Sequence, residues 1–175
     1  MDELPFFKYH PDPLSTGAIV ESDKVCICCG RVRGYIYDGP VYSTRDLDDG
    51  ICPWCLADGS AADKFEATFS DDHALAAIPV ERLKEVTERT PGYISWQTEN
   101  WKTHCEDVCT FLGDVAKEEL TNINSETRSW LRSEMNLALD EWEEFLEYYE
   151  PGGDPAIYKF SCLHCGAIFY DWDCS

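Results

Sequence analysis

Three pairs of cysteines, Cys26 with Cys29, Cys52 with Cys55 and Cys162 with Cys165, each enclose two residues. A pair at that spacing forms a tight knuckle that aims two thiolates at one point, and two knuckles complete the tetrahedral sulfur set that zinc takes. Cys26-Ile27-Cys28-Cys29-Gly30 and Cys52-Pro53-Trp54-Cys55 lie at the separation of such a site, with room for a short hairpin between them. The rival chemistry for Cys52 and Cys55 is thiol-disulfide exchange. That chemistry needs one exposed, acidified thiol at the junction of a strand and a helix in a parallel sheet, and the residues upstream offer no such unit. The expectation is therefore a structural zinc held by Cys26, Cys29, Cys52 and Cys55. Four thiolates fill the tetrahedron and leave no water to activate. Cys28 is read as a core cysteine.

The pair Cys162 and Cys165 needs two more donors. Read as a helix, Trp101 to Cys109 places Cys105 and Cys109 four apart on one face, so a second zinc held by Cys105, Cys109, Cys162 and Cys165 is expected to clamp that helix to the C-terminal hairpin. His104 or His164 is the alternative donor. The plainer alternative is that Cys105 and Cys109 are buried helix residues with no metal.

Redox compartment bears on both sites. The start Met1-Asp2-Glu3-Leu4-Pro5 lacks the basic and apolar runs of a secretory signal, and no segment approaches the roughly 20 apolar residues that span a bilayer. A cytoplasmic protein is expected, in which ten cysteines stay reduced unless they hold metal. With 34 acidic and 14 basic side chains the formal net charge is −20, which disfavours nucleic acid and anionic membranes as partners. Two all-cysteine zinc sites would carry it to about −24.

The elements that must position these residues follow from turns and periodicity. The fold class read from the sequence is α+β: small zinc-ribbon or treble-clef-like cysteine modules at both ends, joined by a central helical region. Residues 1–65 form the N-terminal zinc-knuckle module, rich in Gly and Pro, with short strands such as Tyr35-Ile36-Tyr37 and Val41-Tyr42 and little helix before Asp58. Residues 66–150 form the helical region. In it, Pro79 opens a helix that stops at Pro91-Gly92, and a second runs from near Thr98 to about Gly113. Leu131, Met135, Ala138, Trp142, Phe145 and Tyr149 share one face of a long helix, capped by Asn124 or Ser125 and ended by Pro151-Gly152-Gly153. Residues 151–175 return to a Cys-x-x-Cys hairpin packed on the helices.

No Lys or Arg occurs between Arg132 and Lys159, whereas Asp140, Glu143, Glu144, Glu147 and Glu150 crowd that interval. Like charges three and four apart weaken the helix that carries them, and acids in its last turns oppose the macrodipole. A solvated face ordinarily mixes signs. A single-signed one suits a basic protein partner, although an acidic proteome or simple solubility would also produce it. No phosphate loop, nucleophile elbow or His-Glu-x-x-His pattern is present, and His10, His73, His104 and His164 are scattered. The expectation is a binding protein, not an enzyme.

Phe7-Lys8-Tyr9-His10-Pro11-Asp12-Pro13, Cys26-x-x-Cys29-Gly30, Gly34-Tyr35-Ile36-Tyr37-x-Gly39-Pro40-Val41-Tyr42, Cys52-Pro53-Trp54-Cys55-x-Ala57-Asp58-Gly59-Ser60-Ala61-Ala62, Thr90-Pro91-Gly92-Tyr93-x-Ser95-Trp96-Gln97 and Cys162-x-x-Cys165 together resemble the CbrC-like bacterial family over nearly the whole chain. The resemblance implies three cysteine pairs, no catalytic residues, and a name tied to colicin tolerance. It points to an immunity-like protein that neutralises a basic toxin, such as a nuclease, by direct contact. The alternatives are a thiol redox or zinc-handling factor acting through Cys52 and Cys55, or a regulatory adaptor.

Overall fold

A computed structural model describes residues 3–45, 47, 50–75 and 77–175, and shows a mixed α/β protein with three small sheets. Aromatic and β-branched residues form the first strands as expected. Strand β1 (Ile19–Glu21) pairs antiparallel with β2 (Tyr35–Tyr37), Ile19 opposite Tyr37. Of Val41-Tyr42, Tyr42 makes only an isolated bridge to Thr68. Helix does begin before Asp58: Pro53, with no N–H to lose, starts α1 (Pro53–Ala57), and Gly59 at φ 80° turns the chain into α2 (Ser60–Phe65). Phe7, Ile19, Ile51, Leu56 and Phe69 make the core of this part. Tyr37 ties it to the middle of the chain, its hydroxyl 2.7 Å from the Pro40 carbonyl and accepting the Gly92 N–H at 3.1 Å. Gly92 is required by contact, since a Cβ there would collide with the Phe69 carbonyl oxygen.

Helix α3 (Val80–Arg89) starts after Pro79 and stops before Pro91, as its punctuation implies. The expected helix from Thr98 to Gly113 does not form. Its place is taken by β3 (Thr103–His104), β4 (Asp107–Val108) and β5 (Thr110–Asp114). Cys105 and Glu106, at φ 51° and 57°, make the two-residue turn between β3 and β4, a left-handed backbone that no helix tolerates. Trp101, Val108, Cys109 and Phe111 are thereby turned into one core with Tyr93, where the rings of Tyr93 and Phe111 stack at 4.3 Å.

The C-terminal hairpin forms as read, from β6 (Ala156–Ser161) and β7 (Ile168–Asp173), and β5 joins it in a sheet of order β5-β6-β7. Alternation along β6 serves two cores: Ala156, Tyr158 and Phe160 face Trp101 and Phe111, while Ile157 faces Leu120, Leu131 and Trp142.

Between β5 and β6 lie α4 (Lys117–Thr121), α5 (Ser125–Glu134) and α6 (Leu139–Tyr148). Asn124 caps α5, its Oδ1 accepting the Thr127 N–H at 2.9 Å. The single helix expected through Leu131 and Tyr149 is two helices. Asn136 at φ 54° ends the first, and Glu141 receives the Ala138 N–H at 2.6 Å to begin the second. Leu131, Trp142 and Tyr149 are nonetheless buried together, so the apolar stripe is core on both sides of the break.

Candidate metal centres

Two groups of donors converge, each with all four ligand atoms within 4.8 Å of one another: Cys26, Cys29, Cys52 and Cys55 in one, and His104, Cys105, Cys162 and Cys165 in the other. A tetrahedral ion with Zn–S of about 2.3 Å spaces its sulfurs about 3.8 Å apart. Cys29 Sγ lies 3.9 Å from Cys52 Sγ, and Cys105 Sγ lies 4.0 Å from Cys165 Sγ. All ten cysteines are free of disulfides. The donor chemistry and spacing of both groups fit a metal ion.

In the first group Cys26 and Cys29 sit in a knuckle closed by Cys26 N–H to the Arg31 carbonyl at 2.9 Å and Gly30 N–H to the Cys26 carbonyl at 2.8 Å. Gly30 reaches φ 69° there. Cys52 and Cys55 come from the start of α1. Cys26, Cys52 and Cys55 are buried and Cys29 is exposed. Lys64 Nζ donates to the Ile27 and Cys28 carbonyls at 3.0 and 2.6 Å, placing a cation behind the knuckle. Cys28 stands outside the group, half-buried, 3.6 Å from Ser60 Oγ.

The second knuckle repeats the first: Cys162 N–H bonds the Ala167 carbonyl at 2.8 Å, Gly166 N–H bonds the Cys162 carbonyl at 3.0 Å, and Gly166 has φ 71°. Its partners come from the β3–β4 turn. His104 Nδ1 lies 3.2 Å from Cys105 Sγ and 3.4 Å from Cys165 Sγ. Cys109, expected as the fourth donor, is fully buried in the aromatic core, and burial pushes its thiol up to about 12. The i,i+4 argument placed it on a helix that the left-handed turn at Cys105 and Glu106 excludes. Three residues of this group are exposed and Cys162 is buried.

Sulfur acidities divide within each group. Hydrogen bonds from the Cys52 thiol and from backbone N–H groups bring Cys26 down to about 4, while Cys52 is driven upward by the same thiol pair, and burial pushes Cys55 up to about 12. The Cys165 N–H, with His104, brings Cys162 down to about 6, whereas desolvation and its sulfur neighbours push Cys105 up to about 11. A divalent cation binding either group would favour the thiolate form of its cysteines.

Behind the second knuckle Asp107, 2% exposed, collects donors that lie far apart along the chain. Tyr9 Oη donates at 2.7 Å and His164 Nε2 lies at 2.9 Å, with Lys8 Nζ at 3.4 Å and Arg82 Nη1 at 3.6 Å. Burial opposes the charge of Asp107, but these hydrogen bonds and cations hold its carboxyl below the usual range. His164 is therefore engaged with Asp107 through one nitrogen. His10 is fully buried between the Pro91 carbonyl and Thr16 Oγ1, and burial takes its ring down to about 4. Tyr9 and His10 act as internal braces.

Asp140, Glu143, Glu144, Glu147 and Glu150 are all exposed, and among the described residues none of them enters an ion pair. Asp46, Asp48 and Asp49, part of the same acidic bias, lie outside the described residues. No helix among the described residues is long and apolar enough to cross a membrane.

The profile described as "Uncharacterised protein family (UPF0167)" matches residues 4–174. A UPF0167 protein of Pseudomonas aeruginosa is 48% identical over 173 residues, covering 97% of each chain. UPF0167 proteins of Mycobacterium bovis and Mycobacterium tuberculosis are each 43% identical over 171 residues, covering 94% of this chain and 90% of theirs. No solved structure matches. The chain belongs to the UPF0167 family.

Proposed function

We propose that this UPF0167 member is a zinc-stabilised acidic binding protein, immunity-like, that neutralises a basic protein such as a nuclease toxin by covering its cationic surface. The observation that carries the reading is the unpaired acidic face of α6 on a chain of net charge −20. The donor sets supply the scaffold. A set of four cysteines and a set of three cysteines with one histidine are both saturated, so zinc in them would contribute folding free energy and leave no open position for substrate. Zinc in the first set adds two negative charges and in the second one, giving about −23 in all. The knuckle at Cys26 and Cys29 followed by a helix starting at Pro53 supports reading the first set as treble-clef-like. The redox alternative through Cys52 and Cys55 is weakened by their burial, at 0% and 4% exposed, and by a second cysteine pair whose sulfurs converge on theirs.

The test is association with a panel of basic nuclease-toxin domains across a salt series. Binding should slow steeply with salt, and Glu144→Lys with Glu147→Lys should lower the on-rate about tenfold while leaving the fold intact. Absence of binding to every domain of the panel, or an on-rate indifferent to both salt and the charge reversal, overturns the reading.

A further inference from the structure

The turn Gly152–Pro155 separates two cavities that neither cysteine group uses. One, about 440 Å³, lies against α6, with Phe145, Tyr148 and Pro155 as walls and Glu144, Glu150 and Asp154 among its lining. The other, about 460 Å³, is lined by Ile94, Trp96, Phe111, Tyr158 and Asp114. Both volumes fall in the range of pockets that take a ligand or an inserted side chain. Trp96 Nε1 donates to the Gly153 carbonyl at 2.7 Å, so its indole is pinned to the ridge between them.

Three observations point to what these cavities hold. Large apolar groups stand in water on an otherwise acidic surface, with Trp96 49%, Ile94 54% and Tyr148 74% exposed. Trp96 stands out of the core, its N–H held by Asp173 Oδ2 at 2.9 Å, although it belongs to the Thr90–Gln97 stretch whose Gly92 and Tyr93 are buried. Burial pushes the Asp114 carboxyl upward against hydrogen bonds from the Gly152 and Asp114 N–H groups, and its Oδ1 has no hydrogen-bond partner among the described residues. Finally, neither cavity is lined by a Lys or an Arg. An aromatic wall beside a carboxylate with no internal cation is complementary to a guanidinium or ammonium on an apolar stem, which gains from ring contact and from a charge-assisted hydrogen bond together.

We infer that this ridge with its two cavities is the anchoring site for the basic partner, each cavity taking one arginine or lysine side chain. The inference rests on the binding-protein reading above and divides its labour. Asp140, Glu143 and Glu147, which line neither cavity, steer encounter, while the ridge, with Glu144 and Glu150 among its carboxylates, sets the lifetime of the complex.

The cavities are tested without any partner by titrating the zinc-loaded full chain with N-acetyl-arginine amide and with its uncharged isostere N-acetyl-citrulline amide, following indole and tyrosine resonances by NMR. The arginine probe should shift the Trp96 indole N–H and Tyr148 ring signals at millimolar concentration, and the citrulline probe should bind at least several-fold more weakly. Asp114→Asn, which keeps the side-chain shape, should weaken the arginine probe several-fold. Equal response to the two probes, or none, overturns the inference. With any toxin domain that binds, Trp96→Ala and Tyr148→Ala should each raise the off-rate about tenfold with the on-rate nearly unchanged. An unchanged off-rate overturns the anchoring role while the acidic-face reading stands; if no toxin domain binds, that reading falls and the arginine titration decides the cavities.

Discussion

His104→Ala and Cys109→Ala separate the ligand set seen in the structure from the one that helical spacing suggests. Zinc with bonds of about 2.3 Å to sulfur and about 2.0–2.1 Å to nitrogen needs sulfur–sulfur edges of about 3.8 Å and sulfur–nitrogen edges of about 3.6 Å. The exposed group offers 4.0 Å between Cys105 and Cys165, and 3.2 and 3.4 Å from His104 Nδ1 to those sulfurs. These three donors are within a few tenths of an ångström of the ideal edges and Cys162 Sγ lies within 4.8 Å of each, so the ion would bind with modest rearrangement and His104 would contribute its full share. Replacing it leaves three sulfurs and a water, and affinity at that site should fall at least 10- to 100-fold, the range already reached by disturbing outer partners alone. Under mild chelator competition, zinc measured by mass spectrometry should drop from about two per chain to about one. Cys109→Ala removes a fully buried sulfur from the aromatic core, costs about 1–2 kcal/mol in urea denaturation, and should leave both ions in place. One ion in Cys109→Ala together with two in His104→Ala would refute the reasoning.

Other expectations follow from burial and charge. Desolvation pushes the Glu99 carboxyl up to about 7, against the pull of the Asp71 and Tyr93 N–H groups at 3.0 and 2.9 Å. The native state then binds more protons than the unfolded chain between the ordinary carboxylate range and about pH 7, so stability falls as pH rises through that window. Glu99→Gln should remove roughly 3 kcal/mol of that fall, read as the wild-type-minus-variant difference in unfolding free energy at pH 5 and pH 8; a difference independent of pH contradicts it. Thiol titration of the native zinc-loaded protein should modify Cys28 and Cys174 first, since both are partly exposed and neither belongs to a donor group. Fast reaction at Cys52 would favour the redox alternative instead.

The parts of the molecule legible in the sequence are those fixed by neighbours along the chain. A Cys-x-x-Cys-Gly knuckle, the Asn124 cap, the Pro79 start of α3 and the β6–β7 hairpin each depend on a handful of consecutive residues. What escaped was set by distant contacts. Cys105 and Cys109 have helical spacing, but Thr103 and Val108 pair with each other, Thr110 and Phe111 pair with β6, and Trp101 and Phe111 are buried against Tyr93, which together outweigh a helix. The stripe from Leu131 to Tyr149 is core on both sides of the break because α5 and α6 both turn their apolar sides toward Ile157, but at the break Ala138 is exposed and Leu137 packs in its place. Asp107 was out of reach because Lys8, Tyr9, Arg82 and His164 come from separate parts of the chain.

The excursion from Val115 to Pro155 leaves the sheet at β5 and re-enters it at β6, strands that are hydrogen-bonded to each other, with Phe111 opposite Phe160. Its helices close a core around Leu120, Leu131 and Trp142 against Ile157, Tyr170 and Trp172 of the sheet. Such an insert behaves as a cassette: its two attachment points are already held together by the frame, so lengthening or replacing it adds little loop-closure entropy and leaves both sulfur clusters undisturbed. Chimeras that trade this stretch between relatives should therefore keep the frame's fold and the metal content measured for the parent.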